Sequence, residues 1–181
     1  MISISSGETA PSFDHPLEML RACHGKILRQ CDTLQKLAAH LERKGCDPQV
    51  QQAARGILRY FDTAGQFHHH DEEQDLFPAL RAAADTDKPS LEALLERLLS
   101  EHVIMLASWE ALHPVLSQLA AGEQVALDAA VMNNFITRYS DHIAIENAEL
   151  LPLAPKLLTL QQLKTIGQKM AERRGAQFPT S

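Results

Sequence analysis

The sequence predicts an all-α protein, an up-down-up-down antiparallel four-helix bundle with an additional short helix near the C-terminus. Leucine and alanine dominate a composition that is 45% apolar and only 5% aromatic, which favours helices over strands. Four long segments carry apolar residues at steps of three and four, the spacing of one buried helix face. Short connections between these segments indicate that consecutive helices run antiparallel.

The first helix is predicted over residues 16–44, and Gly45 ends it. Its buried face is an apolar stripe that is interrupted once, by His24. The apolar members of the stripe are Leu17, Leu20, Ile27, Cys31, Leu34, Ala38 and Leu41. A histidine in such a stripe is either a hydrogen-bonded core residue or a ligand.

The second helix begins at Asp47 and Pro48, a capping residue followed by proline at the first helical position. Its buried face leads into three consecutive histidines. The apolar residues on that face are Ile57, Phe61 and Ala64. Because proline removes a backbone hydrogen bond, we expect this helix to kink or end near Pro78.

The third helix opens at residues 88–90, and its apolar stripe is again interrupted by a single histidine, His102. The rest of the stripe is Leu91, Leu95, Leu98, Met105, Trp109, Leu112, Leu116 and Leu119. The repetition of the same pattern on two helices favours a shared role for His24 and His102.

The fourth helix starts near Asp128, leads to His142 and meets prolines at 152 and 155. A fifth, shorter helix opens with Thr159 and Gln162, which form a capping-box pattern. We predict that this accessory helix covers residues 159–175 and packs outside the bundle.

The length and net charge of the chain limit its domain number and its partners. We predict a single domain over residues 1–181, with an irregular segment over residues 1–14. The net charge is −6, from 23 acidic and 17 basic residues without a dense Lys/Arg cluster, which argues against a nucleic-acid partner.

No signal-peptide pattern or long apolar run occurs, so we expect a cytoplasmic protein that does not enter a membrane. Three cysteines without a C-x-x-C pair are interpreted as reduced thiols in or near the core.

The chain also repeats itself. The stretch "HHHDEEQDLFPAL" aligns without gaps with "HIAIENAELLPLA", and His24 and His102 precede the two copies at a similar offset. The aligned pairs are His68 with His142, Glu72 with Glu146, Leu76 with Leu150 and Pro78 with Pro152. This pattern indicates two helical hairpins, each with one histidine on its first helix and an H-x-x-x-E pair on its second.

The H-x-x-x-E spacing suits metal binding. Residues four apart on a helix lie about 40° apart around its axis and roughly 6 Å along it, so both can reach one ion. Three such pairs occur: His68/Glu72, His69/Glu73 and His142/Glu146. The first and third share a following L-[F/L]-P stretch, and this support distinguishes them from His69/Glu73.

The three consecutive histidines compete for the inward position. His68 continues the buried face of the second helix, whereas each following residue rotates about 100° away from it. We therefore predict that His68 and Glu72 point inward. The neighbouring polar residues are interpreted as a solvated or rim cluster, one member of which could hydrogen-bond a ligand histidine. These are His69, His70, Asp71, Glu73 and Asp75.

Burying two carboxylates without partners costs several kcal/mol each, and a metal centre would offset that cost. Four imidazoles and two carboxylates from four helices suit two transition-metal ions with bridging carboxylates. A structural zinc site would use four ligands, preferably with thiolates. We therefore predict two iron ions, ahead of manganese or zinc. The predicted ligands are His24, His68, Glu72, His102, His142 and Glu146.

These motifs resemble the hemerythrin-like family, the HHE cation-binding domains, over nearly the whole chain. The resemblance implies a four-helix bundle with a non-haem di-iron centre and the same six ligands. Two positions depart from the oxygen-carrying members, which have a histidine at the place of Leu106 and an aspartate at the place of Asn147. Fewer protein ligands leave more coordination positions open, which favours a sensing or redox role over reversible carriage.

Three functional hypotheses remain open from the sequence. The first is a binding protein or sensor for oxygen, nitric oxide or hydrogen peroxide. The second is a di-iron redox enzyme, or an iron-donating factor for iron-sulfur cluster repair in the oxidative and nitrosative stress response. The third is a metal-stabilised bundle that binds a protein partner. Four residues are interpreted either as electron relays or as ordinary core and rim residues, namely Tyr60, Tyr139, Trp109 and Cys23.

Overall fold

The computed structural model describes residues 12–84 and 88–178, which are helical throughout apart from short connections and contain no strand. The predicted all-α class is confirmed. Of the predicted irregular segment over residues 1–14, the described residues 12–14 are non-helical, and the rest lies outside the described part. No helix among the described residues is long and apolar enough to cross a membrane.

The first helix, α1, covers Pro16–Lys44 as predicted. It ends where the N–H of Gly45 donates to the carbonyl oxygen of Leu41. Gly45 has a φ of +73°, a conformation that glycine adopts without steric cost. The next helix begins at once, because the Asp47 side chain accepts hydrogen bonds from the first-turn N–H groups of Gln49 and Val50.

The fold has four rods, which correspond to the four predicted long helices. The second rod consists of four consecutive helical segments rather than one helix. It breaks at Asp62 and Thr63, changes to a π-helical turn after His70, and continues past Pro78. The segments are α2 (Pro48–Phe61), α3 (Ala64–His70), π1 (Asp71–Leu76) and α4 (Phe77–Ala83). The rod does not end at Pro78, because the preceding π-helical turn accommodates the proline.

The remaining helices follow the predicted order. The third rod is a single helix, the fourth contains a second π-helical turn, and the last helix has the predicted capping box between Thr159 and Gln162. The segments are α5 (Lys88–Ala121), α6 (Ala129–Ile145), π2 (Glu146–Leu150), α7 (Leu151–Leu157) and α8 (Leu160–Arg173). Helix α6 starts where it was predicted, and the side chain of Asp128 caps it.

The two π-helical turns occupy corresponding places in the internal repeat. In π1 the N–H of Phe77 donates to the carbonyl oxygen of Glu72, and in π2 the N–H of Leu151 donates to Glu146. Each bond spans five residues and is followed directly by a proline. Because a proline ring clashes with the carbonyl group four residues earlier in an α-helix, a wider turn relieves that clash.

The four rods pack in a ring, in which α1 and α5 each contact both α2 and α6. The buried apolar residues form two clusters, one on either side of a polar layer. The first cluster includes Ile27, Phe61, Met105, Phe135 and Ile143. The second includes Leu20, Leu76, Leu98, Leu150 and Met170. Since each fully buried side chain of this kind stabilises the fold by about 1.5–3 kcal/mol, the two clusters can stabilise a structure that has a polar layer between them.

Candidate metal centre

Six side chains form the polar layer between the two apolar clusters, and they are the six ligands predicted from the sequence. The histidines come one each from α1, α3, α5 and α6, and the glutamates are the second residue of π1 and the first residue of π2. None of the six is more than 4% exposed. They are His24, His68, Glu72, His102, His142 and Glu146.

These side chains divide into two groups of potential ligands. One group is His24 and His68 with both glutamates, and the other is His102 and His142 with both glutamates. Within each group, the ligand atoms all lie within 4.8 Å of one another. Each group could therefore hold one metal ion, and the shared glutamates would link the two ions.

Each glutamate presents one oxygen to each group. Oε1 of Glu72 lies 3.4 Å from Nε2 of His68, and its Oε2 lies 3.5 Å from Nε2 of His102. Oε2 of Glu146 lies 3.0 Å from Nε2 of His24, and its Oε1 lies 3.2 Å from Nε2 of His142. This division of the oxygens is the arrangement that a bridging carboxylate requires.

The polar atoms at the centre lack hydrogen-bond partners among the described residues. This holds for all four carboxylate oxygens of Glu72 and Glu146, for Nε2 of His24 and for both ring nitrogens of His68. Buried polar atoms without partners are rare in folded proteins and cost free energy. Metal ions would satisfy these atoms, so the donor set fits a two-metal centre.

The ionisation of the glutamates reflects their crowding in the metal-free protein. Burial and the nearby Glu146 charge raise the pKa of Glu72 to about 8. Burial also acts to raise the pKa of Glu146, but the adjacent His142 and His24 imidazoles outweigh it and hold that pKa well below its usual value. Without a metal, one glutamate is therefore protonated at neutral pH and the other is ionised.

The pKa values of the ligand histidines also differ from one another. Burial acts to lower the pKa of His24 and of His142, but the adjacent Glu146 and Glu72 carboxylates raise it, to about 10 for His24 and about 9 for His142. Burial lowers the pKa of His68 well below its usual value. In the metal-free protein His24 and His142 are thus imidazolium ions, which supply the positive charge beside the glutamates.

Comparison with known proteins agrees with this geometry. The family model for the hemerythrin HHE cation-binding domain matches residues 15–154. This protein belongs to the hemerythrin HHE family. An uncharacterized protein of Haemophilus influenzae is 33% identical over 163 residues, which cover 90% of this chain and 92% of the relative. The HHE match ends before α8, so that helix lies outside the matched segment.

Hydrogen bonds hold the outer ring nitrogens of three of the four ligand histidines in this HHE domain. Nδ1 of His24 donates to Oδ1 of Asn147 over 2.9 Å. Nδ1 of His102 donates to Oε1 of Glu73 over 2.7 Å, and Nδ1 of His142 donates to Oε2 of Glu101 over 2.8 Å. These bonds fix the rings with Nε2 facing the centre, the orientation that metal ligation needs.

Sequence reasoning found these outer partners only in part. A hydrogen bond from the rim cluster to a ligand histidine was expected, and Glu73 provides it. Glu101 was missed, although its position directly before His102 placed it beside the centre. Asn147 was seen only as a departure from the oxygen carriers, whereas its amide oxygen holds His24.

The interpretation of the neighbouring polar residues as a solvated cluster is wrong for three of its five members. His69, Asp71 and Asp75 are buried, with Asp71 fully enclosed. Asp71 forms ion pairs with Arg173 and Arg174 near the end of α8, and Asp75 pairs with Arg173. Helix α8 covers π1 and supplies these cations, so acidic residues that would otherwise face water become enclosed.

A cavity of about 210 Å³ lies beside the metal centre of the HHE domain. His102 is part of its wall, together with His69, Leu106, Trp109 and Tyr139. Tyr139 and Trp109 are buried in the first apolar cluster, and the indole N–H of Trp109 donates to Asp62. All three cysteines are buried free thiols, as predicted.

Proposed function

We propose that this protein is a non-haem di-iron protein that binds or senses a small ligand such as oxygen, nitric oxide or hydrogen peroxide. The observation that carries this proposal is the sharing of Glu72 and Glu146 between two groups of buried ligands. A mononuclear site would need only one such group.

The donor set supports iron. Imidazole and carboxylate ligands without thiolate suit iron and other first-row transition metals, and the two groups contain four histidines, two glutamates and no cysteine. A structural zinc site usually closes with four ligands, whereas six residues here serve two groups. Iron is also the metal implied by the hemerythrin resemblance, and manganese or zinc are the alternatives.

The proposed scaffold is the up-down-up-down antiparallel bundle. Support comes from the hydrogen bonds between the second rod and α5. As the residue number increases along the second rod, the number of the partner residue on α5 decreases. Arg55 bonds the carbonyl group of Ala120, Asp62 bonds Trp109, and Glu73 bonds His102. Neighbouring rods that run in opposite directions produce this order, and they bring residues from all four helices to one level.

Bound iron would supply one-electron redox chemistry and exchangeable coordination positions. The residues of this chain hold three of the four imidazoles by their outer nitrogens, and two apolar clusters shield the centre from bulk water. The adjacent cavity, about 210 Å³ in volume, is smaller than the roughly 300–1,000 Å³ typical of sites for drug-sized ligands. The size of this cavity therefore favours a diatomic or peroxide ligand over an organic substrate.

Elemental analysis of protein expressed in iron-replete medium tests the proposal, followed by visible spectra of the reduced protein before and after exposure to air. About two irons per chain and a reversible spectral change would support oxygen binding. Irreversible oxidation, or turnover of peroxide or nitric oxide, would favour the redox enzyme. Absence of metal, or a single zinc ion, would overturn the di-iron proposal.

A further inference from the structure

The two predicted metal positions differ in their surroundings. The cavity of about 210 Å³ has His102 in its wall and none of the other five predicted ligands. At the other position, neither His24 nor His68 borders this cavity, and their rings stand edge to face with centroids 4.8 Å apart. A molecule in the cavity would thus lie beside His102, a member of the His102/His142 group.

Leu106 lies in the wall of this cavity, one helical turn after His102. Side chains four residues apart on a helix are neighbours, so a histidine at 106 could have joined His102 as a further ligand. Leucine cannot ligate a metal and leaves that direction open. Leu106 is 45% exposed, which places the mouth of the cavity at the protein surface.

Leu28 is the matching residue in the other half of the repeat, four positions after His24 and 38% exposed. It is not part of the cavity wall. The chain therefore has two leucines in equivalent sequence positions and with similar exposure, only one of which borders the cavity. This pair provides a matched comparison between the two metal positions.

The cavity wall has hydrogen-bond donors for a small polar molecule, and the Glu73 carboxylate also lies in it. The ring of His69 stacks on that of His102 with centroids 4.2 Å apart. An imidazole ring carries at least one N–H donor. Gln66 and Tyr139 add donor groups, and Leu106 and Trp109 add apolar surface.

We infer that the exogenous ligand enters through this cavity and binds at the His102/His142 position rather than at the His24/His68 position. This inference rests on the proposed di-iron function and adds the place of binding. The cavity beside His102, the leucine at position 106 and the absence of His24 and His68 from the cavity wall are the observations that carry it.

Azide is a suitable probe, because it is a small anion that binds exchangeable iron positions and changes the visible spectrum. The experiment compares iron content and azide affinity in iron-loaded wild type, Leu106→His, Leu106→Phe and the matched control Leu28→His. Leu106→His adds a competing imidazole, whereas Leu106→Phe fills the cavity without a nitrogen ligand. Both variants should retain two irons and bind azide at least about tenfold more weakly, whereas Leu28→His should stay within about twofold of wild type.

Weaker binding in Leu28→His alone, or unchanged binding in all three variants, would overturn the inference. Wild-type protein that carries two irons but binds no azide would overturn it as well. The iron content, measured before azide is added, separates these results from failure of the proposed function. Wild type without two irons would overturn the di-iron proposal itself, and the inference with it.

Discussion

The Nε2 atoms of His102 and His142 lie 3.0 Å apart, while Nδ1 of each ring donates to a different carboxylate, Glu73 or Glu101. Because both Nδ1 atoms carry hydrogens, a hydrogen bond between the two Nε2 atoms needs one further proton. His142 holds it, since the effect of burial on its pKa is outweighed by Glu146 and the pKa rises to about 9. A metal ion bound to both Nε2 atoms must displace that proton.

Metal uptake should therefore release protons. Three groups are protonated at pH 7 in the metal-free protein, with pKa values raised to about 10 for His24, about 9 for His142 and about 8 for Glu72. Ligation requires their deprotonated forms, so affinity should strengthen as pH rises from 6 towards 9. Calorimetry in buffers of different ionisation enthalpy would count the protons, and uptake without proton release would contradict this prediction.

His68→Ala and His69→Ala should separate the inward histidine from its neighbour. His68 belongs to a ligand group and His69 does not. We expect His68→Ala to lose at least one of the two metals and His69→Ala to retain both, as measured by elemental analysis after desalting. The reverse result would show that the assigned helical frame is wrong.

Glu73→Gln and Glu101→Gln should weaken metal binding without removing a ligand. Each glutamine keeps an oxygen acceptor for its histidine but loses the negative charge that makes the imidazole a stronger donor. We expect a loss of affinity near the lower end of the roughly 10–100-fold range for such outer partners, measured by competition with a chelator. Glu110→Gln, at an exposed position on the same helix, serves as the control and should leave affinity unchanged.

Asp71→Asn should destabilise the fold through loss of the ion pairs to α8. Removal of one partner of a buried pair costs about 3–5 kcal/mol. We expect about 2–3 kcal/mol here, because the Arg173 and Arg174 side chains are 15% and 19% exposed and burial already raises the pKa of Asp71. Urea denaturation of the metal-free variant measures this difference.

Asp32→Asn is the matched control for Asp71→Asn. Asp32 pairs with Lys36 on the surface of α1, where both side chains are more than half exposed. Exposed pairs of this kind contribute about 0–1 kcal/mol, so the free energy of unfolding should hardly change. Equal effects of the two substitutions would show that the α8 ion pairs do not stabilise the protein as expected.

Much of the fold could be predicted because its signals are local. Asp47, Asp128 and Thr159 cap helices where the sequence places them, since capping depends on residues within one turn. The break at Asp62 was not predicted. Asp62 bonds the indole of Trp109 on another helix, and a contact between residues so far apart leaves no local pattern.

The six central residues could be predicted because the chain repeats their spacing and because histidines interrupt two apolar stripes. The burial of Asp71 and Asp75 could not, since it depends on cations from α8, about a hundred residues later. The single domain, the cytoplasmic location, the metal identity and the absence of a nucleic-acid partner stay predictions.

The two π-helical turns have a consequence for protein design. Each contains one residue more than an α-helical turn would, and each begins at or beside a central glutamate. Rebuilding the second rod as a regular α-helix with the same residues would rotate every residue after π1 by about 100°. Phe77 and Leu80 would then leave the second apolar cluster. The irregular turns therefore set the register between the metal layer and the core beneath it, and a regularised backbone could preserve only one of the two.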